Sequence, residues 1–547
     1  MDGSEVGPDI SNLAEKEFIN MDFKNLTSTE SFKKIEQLPP LDLHANLTPE
    51  RIVSASIPLG GGLAYNWASM PIGAQHLEAL RKLALEQELV DKYQAVLAGE
   101  VMNTGENRLV LHQLTRGRVL GSDTTVYADG EEKGEFYASQ LAAIESFSNQ
   151  VRSGTLTGST GKLFKTVVQI GIGGSDLGPR AMHLALKGWC AGQGIKQLEA
   201  RFISNVDPDD AAEVLAGIDF ETTLFILVTK SGTTQETLTN HDMVLKAMQN
   251  AGIPALVPSR HMLVVTSKTS PLATSDAFLK AFFIDDYIGG RYSSTSAVGA
   301  VVLALAFGFQ VFARFLHGAH EADVLALEPE PIKNAAMLDA LIGVYLRNVL
   351  RLPSTAVLPY AQALSRFPAH LQQLDMESNG KQVNRIGEPV DYPTGPVVFG
   401  EPGTNGQHSF YQLLHQGTDC VPLQFIGFKR SQRGLDIETE GSSSQEKLVA
   451  NLIAQIVAFA KGKHNIDANK RFLGNRWSSV IYSDQLTPEA LGALLAHYEN
   501  KVMFQGFLWN VNSFDQEGVQ LGKVLAKKVL SGGDGDQTLQ AYINLLM

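Results

Sequence analysis

The chain has 547 residues, 44% hydrophobic and 19% charged, a composition that excludes a largely disordered chain or a collagen. Its 45 Lys and Arg against 58 Asp and Glu leave a net charge of −13, which argues against general binding to nucleic acid or anionic membrane. At about 150 residues per domain the length suggests three to four domains, and any anionic ligand must be held by local chemistry.

The N-terminus, MDGSEVGPDI, lacks the basic and apolar segments of a secretory signal. Residues 1–135 read as an N-terminal arm with helices, broken by Leu38-Pro39-Pro40 and Gly60-Gly61-Gly62. From 136 the texture alternates. An amphipathic helix over 138–151 precedes apolar strands at 166–170, 201–203, 224–228 and 262–266, with helical segments between. The apolar run 297–309, within a helix over 298–315, is shorter than the roughly 20 residues that span a bilayer and reads as a buried helix.

A second alternating unit follows, with strands near 356–358, 397–399 and 423–428 and helices over 446–461 and 488–502. Near-continuous apolar strands separated by helices imply parallel sheets covered on both faces. The fold class is therefore α/β, two three-layer αβα sandwiches (136–318 and 319–510), with a C-terminal helix and tail over 511–547. Only Cys190 and Cys420 are present. They exclude a disulfide framework and a cysteine zinc site, and support a cytoplasmic protein with reduced thiols.

Two loops could hold a phosphate. Gly171-Ile172-Gly173-Gly174-Ser175-Asp176-Leu177-Gly178 follows a strand and opens a helix. Its glycines let the backbone approach an anion, Ser175 supplies a hydroxyl, and the helix N-terminus supplies N–H groups. Asp176 occupies the third glycine position of a dinucleotide fingerprint and would oppose a pyrophosphate. The second loop is Thr229-Lys230-Ser231-Gly232-Thr233-Thr234-Gln235-Glu236-Thr237, a hydroxyl cradle with a lysine and no Walker motif, suited to a phosphomonoester. Either loop alone is also explained as a helix cap and turn.

Four further residues carry acid, base or cation chemistry. Glu377, between Met376 and the polar turn Ser378-Asn379-Gly380, suits a general base if screened from water, or is a solvated surface carboxylate. His408 closes a glycine-rich loop at the start of a helical pattern over 409–415, where a helix N-terminus favours the neutral ring. In the helical pattern 518–530, Lys523 shares a face with Val519, Ala526 and Leu530, so it either needs a buried task or runs its stem along apolar surface. Arg291, after Gly289-Gly290, can stabilise an oxyanion without acting as an acid, or serve a structural ion pair.

Taken together, GIGGSDLGP, TKSGTTQET, GGRYS, MESNGK with GEPGTNGQHSFYQLLHQGT, and FDQEGVQLGK resemble the phosphoglucose isomerase family, and MNTGENRLVLHQLTR around Arg108 resembles it further upstream. The resemblance covers residues 100–530 and implies two sugar-isomerase (SIS) domains and a homodimer with shared active sites. It implies interconversion of glucose 6-phosphate and fructose 6-phosphate, a step of glycolysis and gluconeogenesis, without cofactor or metal. It makes Glu377 the base moving a proton between C2 and C1, and Arg291 the stabiliser of the cis-enediolate. His408, from the other subunit, and Lys523 assist ring opening. Gly174, Ser175, Thr229, Lys230, Ser231 and Thr234 hold the phosphate, and Gln516 lines the pocket.

Some positions depart from the family's form. Gly232 replaces a bulky residue and is expected to loosen the phosphate loop, while Ser294-Thr295 and Glu517 are expected to alter the pocket wall. A non-catalytic SIS-type sensor and an isomerase also acting on mannose 6-phosphate are alternatives. A sensor would normally add a basic DNA-reading segment, and none is present.

Overall fold

A computed structural model describes residues 21–547; the N-terminal segment read above for a secretory signal lies outside the described residues. After short helices at Glu30–Ile35, Leu43–Asn46 and Pro49–Ser54 come two strands, β1 (Ser56–Gly60) and β2 (Leu63–Asn66), paired antiparallel. The glycine cluster expected to break helices in an arm is instead a hairpin turn. Gly61 has φ +57°, and a Cβ there would collide with the backbone of Glu489. Ile57, Leu59, Leu63 and Tyr65 are buried, so the hairpin has a core face.

The first sandwich begins with α1 (Lys133–Ser153). It continues through β3 (Thr166–Ile170), α2 (Leu177–Gly192), β4 (Glu199–Ile203), β5 (Thr223–Val228), α3 (Gln235–Asn250), β6 (Met262–Thr266) and β7 (Lys280–Phe283). All five strands are parallel, in the order β4-β3-β5-β6-β7. Every residue of β3, β5 and β6 is buried, as continuous apolar strands between helical layers must be.

The apolar run expected as one helix is two. α4 (Ala297–Phe307) is buried throughout, and Gly308 at φ +95° separates it from α5 (Phe309–Leu325). After α6 (Ala335–Val344) come β8 (Ser354–Pro359), β9 (Val397–Phe399), β10 (Leu423–Phe428), α7 (Ser444–Lys461), β11 (Ser478–Ser483) and α8 (Pro488–Leu508). The second sheet runs β1-β2-β11-β10-β8-β9, parallel from β11 to β9, with the N-terminal hairpin added antiparallel at the β11 side. The hairpin at 56–66 thus completes the second sheet.

Helix α8 is buried nearly all round, which its lack of a single apolar stripe requires. It crosses α5 at glycines: a Cβ on Gly318 would strike the Glu489 carbonyl, and one on Gly492 the Phe315 carbonyl. The chain ends in α9 (Gln520–Leu530) and α10 (Gln537–Leu546), neither of which has a buried residue. No helix of the described residues is long and apolar enough to cross a membrane. Cys190 is buried and Cys420 half-buried, both as free thiols.

Candidate active site

Strand β3 pairs with β4 on one side and β5 on the other, so the chain reverses direction across the sheet there. Ligands of doubly wound sheets bind outside the carboxyl ends of the strands at such a switch point. Both expected phosphate loops, after β3 and after β5, lie there.

In the first loop a Cβ on Gly174 would collide with the backbone of Gly290, so the loop rests directly on the segment carrying Arg291. Gln169 Nε2 donates to the Ser175 carbonyl at 2.7 Å and holds the turn. Asp176 does not face the ligand space. It is buried against Arg180 at 2.8 Å, and burial raises its pKa.

In the second loop buried Thr229 donates from Oγ1 to Thr234 Oγ1 at 3.3 Å, and Ser231 Oγ accepts from Thr233 Oγ1 at 2.9 Å. Thr234 is the N-cap of α3, yet its hydroxyl makes no capping bond. Lys230 Nζ lies 3.4 Å from Asp286, which also pairs with Arg108 at 3.6 Å. Gly232 does not loosen the loop. It sits at φ +70°, buried, where a Cβ would collide with Ser270 Oγ, so the loop is closely packed around the missing side chain.

Glu377 ends a wide π-type turn, Gln372–Glu377, that continues the short helix Phe367–Leu371. Such turns recur at functional sites. Its Oε2 is buried without a hydrogen-bond partner and stands 3.6 Å from Arg291 Nη1. Arg291 is only 2% exposed. Its Nε donates to Ser378 Oγ at 2.6 Å, and its Nη2 donates to the carbonyls of Ser513 at 2.6 Å and Asp515 at 2.9 Å. Ser378 Oγ also shares a hydrogen bond with Tyr292 Oη at 2.9 Å, and Tyr292 stacks on buried His112 with ring centroids 4.6 Å apart.

Residue-type reasoning did not single out these supports, nor Gln373, whose buried Oε1 is unpartnered and whose Nε2 lies 3.4 Å from where a Cβ on Gly173 would stand. Their spacing from Glu377 and Arg291 was the available signal. Lys381 pairs with Asp515 and donates to its carbonyl at 2.9 Å. Gln516, next in the chain, is exposed beyond it.

Within this chain no hydrogen bond or ion pair among the described residues joins His408 or Lys523 to that group. His408 is exposed on the turn Asn405–His408 beyond edge strand β9, and the following helix starts only at Tyr411, so His408 is not at its first turn. The apolar face expected to bury Lys523 is open to solvent: Val519 is 44% exposed and Leu530 62%. Ser294 and Thr295 are not pocket wall either. Both are buried, Ser294 against Gly178 and Thr295 accepting from Arg116 Nε at 3.3 Å. Among the described residues no group of three or more His, Cys, Asp or Glu is placed to hold a metal.

Two doubly wound units, the first with anion-ready loops at its switch point, define a sugar-isomerase type of α/β protein. A profile of the phosphoglucose isomerase family matches residues 66–543, and the chain belongs to that family. It is 58% identical to a glucose-6-phosphate isomerase of Treponema denticola, covering 96% of this chain and 100% of that one. It is 47% identical to one from Borreliella burgdorferi strain B31, covering 95% and 98%. The crystal structure of a glucose-6-phosphate isomerase from Chlamydia trachomatis superposes with a TM-score of 0.88 at 42% identity, covering 95% of this chain and 99% of that one.

Proposed function

We propose that this chain interconverts glucose 6-phosphate and fructose 6-phosphate by proton transfer through a cis-enediolate. The observation that carries the assignment of chemistry is the buried, unpartnered Glu377 Oε2 facing Arg291 Nη1 at 3.6 Å. A carboxylate oxygen with no hydrogen bond committed to it is free to accept a proton from substrate. In the open-chain substrate Glu377 takes the proton from C2, exchanges it in part with solvent, and delivers a proton to C1. The negative charge that grows on the enediolate oxygen is met by Arg291, which stays protonated throughout. Ser175, Thr229, Lys230, Ser231 and Thr234, with the Gly174 backbone, hold the phosphate at the other end of the substrate.

The reading is a homodimer in which His408 enters the neighbouring subunit's site and Lys523 and Gln516 close it. The exposed apolar residues of α9 and α10 support it, with Leu545 74% and Leu546 77% exposed in the single chain. The division into two sandwich domains with terminal arms belongs to the same reading. Incubating the pure protein with fructose 6-phosphate in deuterated water tests the chemistry. Glucose 6-phosphate should form carrying deuterium at C2; interconversion without proton exchange, or none at all, rejects the base-catalysed route.

A further inference from the structure

The second sheet repeats the topology of the first. Strand β8 pairs with the next strand, β9, on one side and with β10 on the other, and β11 follows beyond β10. The first sheet has the same relation among β3, β4, β5 and β6. Both switch strands lead into a 3-10 turn, Gly173–Ser175 in one case and Gln362–Leu364 in the other. After β5 the chain reads Thr229-Lys230-Ser231, and after β10 it reads Lys429-Arg430-Ser431. A cation and a hydroxyl therefore recur in step at the carboxyl ends of equivalent strands.

A cleft of about 500 Å³ opens at this second switch point, lined by residues of the loops after β8 and β10 and by one face of α2. Lys187, Arg430 and Arg433 contribute positive charge, and Ser365, Ser431 and Gln362 contribute hydrogen-bonding groups. No Asp, Glu or His lines it. Lys187 and Arg433 form no ion pair among the described residues, and the Arg430–Asp484 pair is exposed on both sides, a kind of contact that holds a guanidinium weakly. Phe428 and 81%-exposed Leu435 add an apolar wall. The size is that of a small-molecule pocket.

We propose that this cleft is a second, non-catalytic site for a phosphomonoester whose remainder presents an apolar face, as a nucleoside monophosphate does. The arginines and Ser431 take the phosphate, and the apolar wall takes the flat group. With no acid or base in the lining, the site binds and does not transform its ligand. The assignment is independent of the proton-transfer reading of the first site.

Equilibrium dialysis of the full chain with AMP, in the presence of saturating fructose 6-phosphate, tests it. The expected result is one AMP per chain, bound about tenfold or more tightly than by Arg430→Ala/Arg433→Ala, since each charged hydrogen bond is worth at least that factor. That variant and the single Lys187→Ala should keep the fructose 6-phosphate turnover and melting temperature of the parent. Inorganic phosphate should bind more weakly than AMP at the same residues. No AMP binding, binding unchanged in the double variant, or displacement of AMP by fructose 6-phosphate overturns the site. Phosphate binding as tight as that of AMP overturns the nucleotide-like ligand.

Discussion

Arg291 presents a single guanidinium nitrogen to Glu377. Nη1 stands 3.6 Å from Oε2, while Nε and Nη2 are committed to Ser378 and to two backbone carbonyls of the 513–515 segment. The cation is held in place before any substrate arrives, so little reorganisation is left for the moment when charge develops. Because Ser378 follows Glu377 in sequence, the turn that aims the base also aims the cation.

Glu377→Gln keeps the shape and removes the base. kcat should fall by about 10²–10⁴, the usual contribution of a general base, while KM changes little because the phosphate loops are untouched. Deuterium exchange at C2 should fall in parallel. Wild-type turnover in this variant would reassign the base.

Arg291→Lys cannot fill three directions at once and should lose about 10²–10³ in kcat, as for loss of an oxyanion donor. Ser378→Ala leaves Nε unpartnered in a buried site and should lower kcat with KM nearly unchanged. Steady-state kinetics on fructose 6-phosphate separate the two effects, and a Ser378→Ala change confined to KM would remove the positioning role.

Sharing of sites between subunits makes a mixing prediction. Glu377→Gln and His408→Ala proteins should each be nearly inactive. Unfolded together and refolded, they should regain about a quarter of parental activity, because half the dimers are hybrids with one intact site. No recovery would place His408 in its own subunit's site or outside the chemistry.

Asp375 lies buried behind the base, in a cavity of about 40 Å³ shared with Asp339, Tyr498 and Lys501. Burial pushes its carboxyl up to about 6; Lys501 opposes the shift and Asp339 adds to it. The folded protein thus holds this proton more tightly than the unfolded chain does. Its stabilising contribution is complete below about pH 4 and is lost as pH rises through 6, at a cost near neutrality of about 3 kcal/mol. Asp375→Asn should be more stable than the parent at pH 7.5 and no more stable at pH 4. Denaturant melts at the two pH values decide it, and an equal gain at both would exclude the titration.

Gly232→Leu adds bulk that meets Ser270 at a positive φ. It should destabilise the fold by about 1–3 kcal/mol and raise KM through the displaced Ser231 and Thr233. A thermal melt with kinetics on the same preparation checks both.

The fold was largely legible because buried parallel strands announce themselves as apolar runs: Thr166–Ile170, Met262–Thr266, Val397–Phe399 and Leu423–Phe428 fall where the sequence places them. Strand Ser478–Ser483 was missed because its three serines, all buried, carry no hydrophobic signal. Lys280–Phe283 is too short and too exposed to stand out. The phosphate loops and the Glu377–Arg291 pair were legible as residue types. The joining of His408 and Lys523 to them was not, since helical spacing around Lys523 describes a face without saying what covers it.

The glycine seam between α5 and α8 ties distant parts of the molecule into one strut. Where carbonyl oxygens rather than side chains meet, no rotamer can absorb a displacement, and any added atom must prise the helices apart. On either side of that seam sit Asp323 and Glu499, which grip the same buried Arg116. Heat-sensitive lesions should therefore concentrate at Gly318 and Gly492, far from the substrate, and inactivate the protein by unclasping Arg116 while leaving every residue of the catalytic group in place.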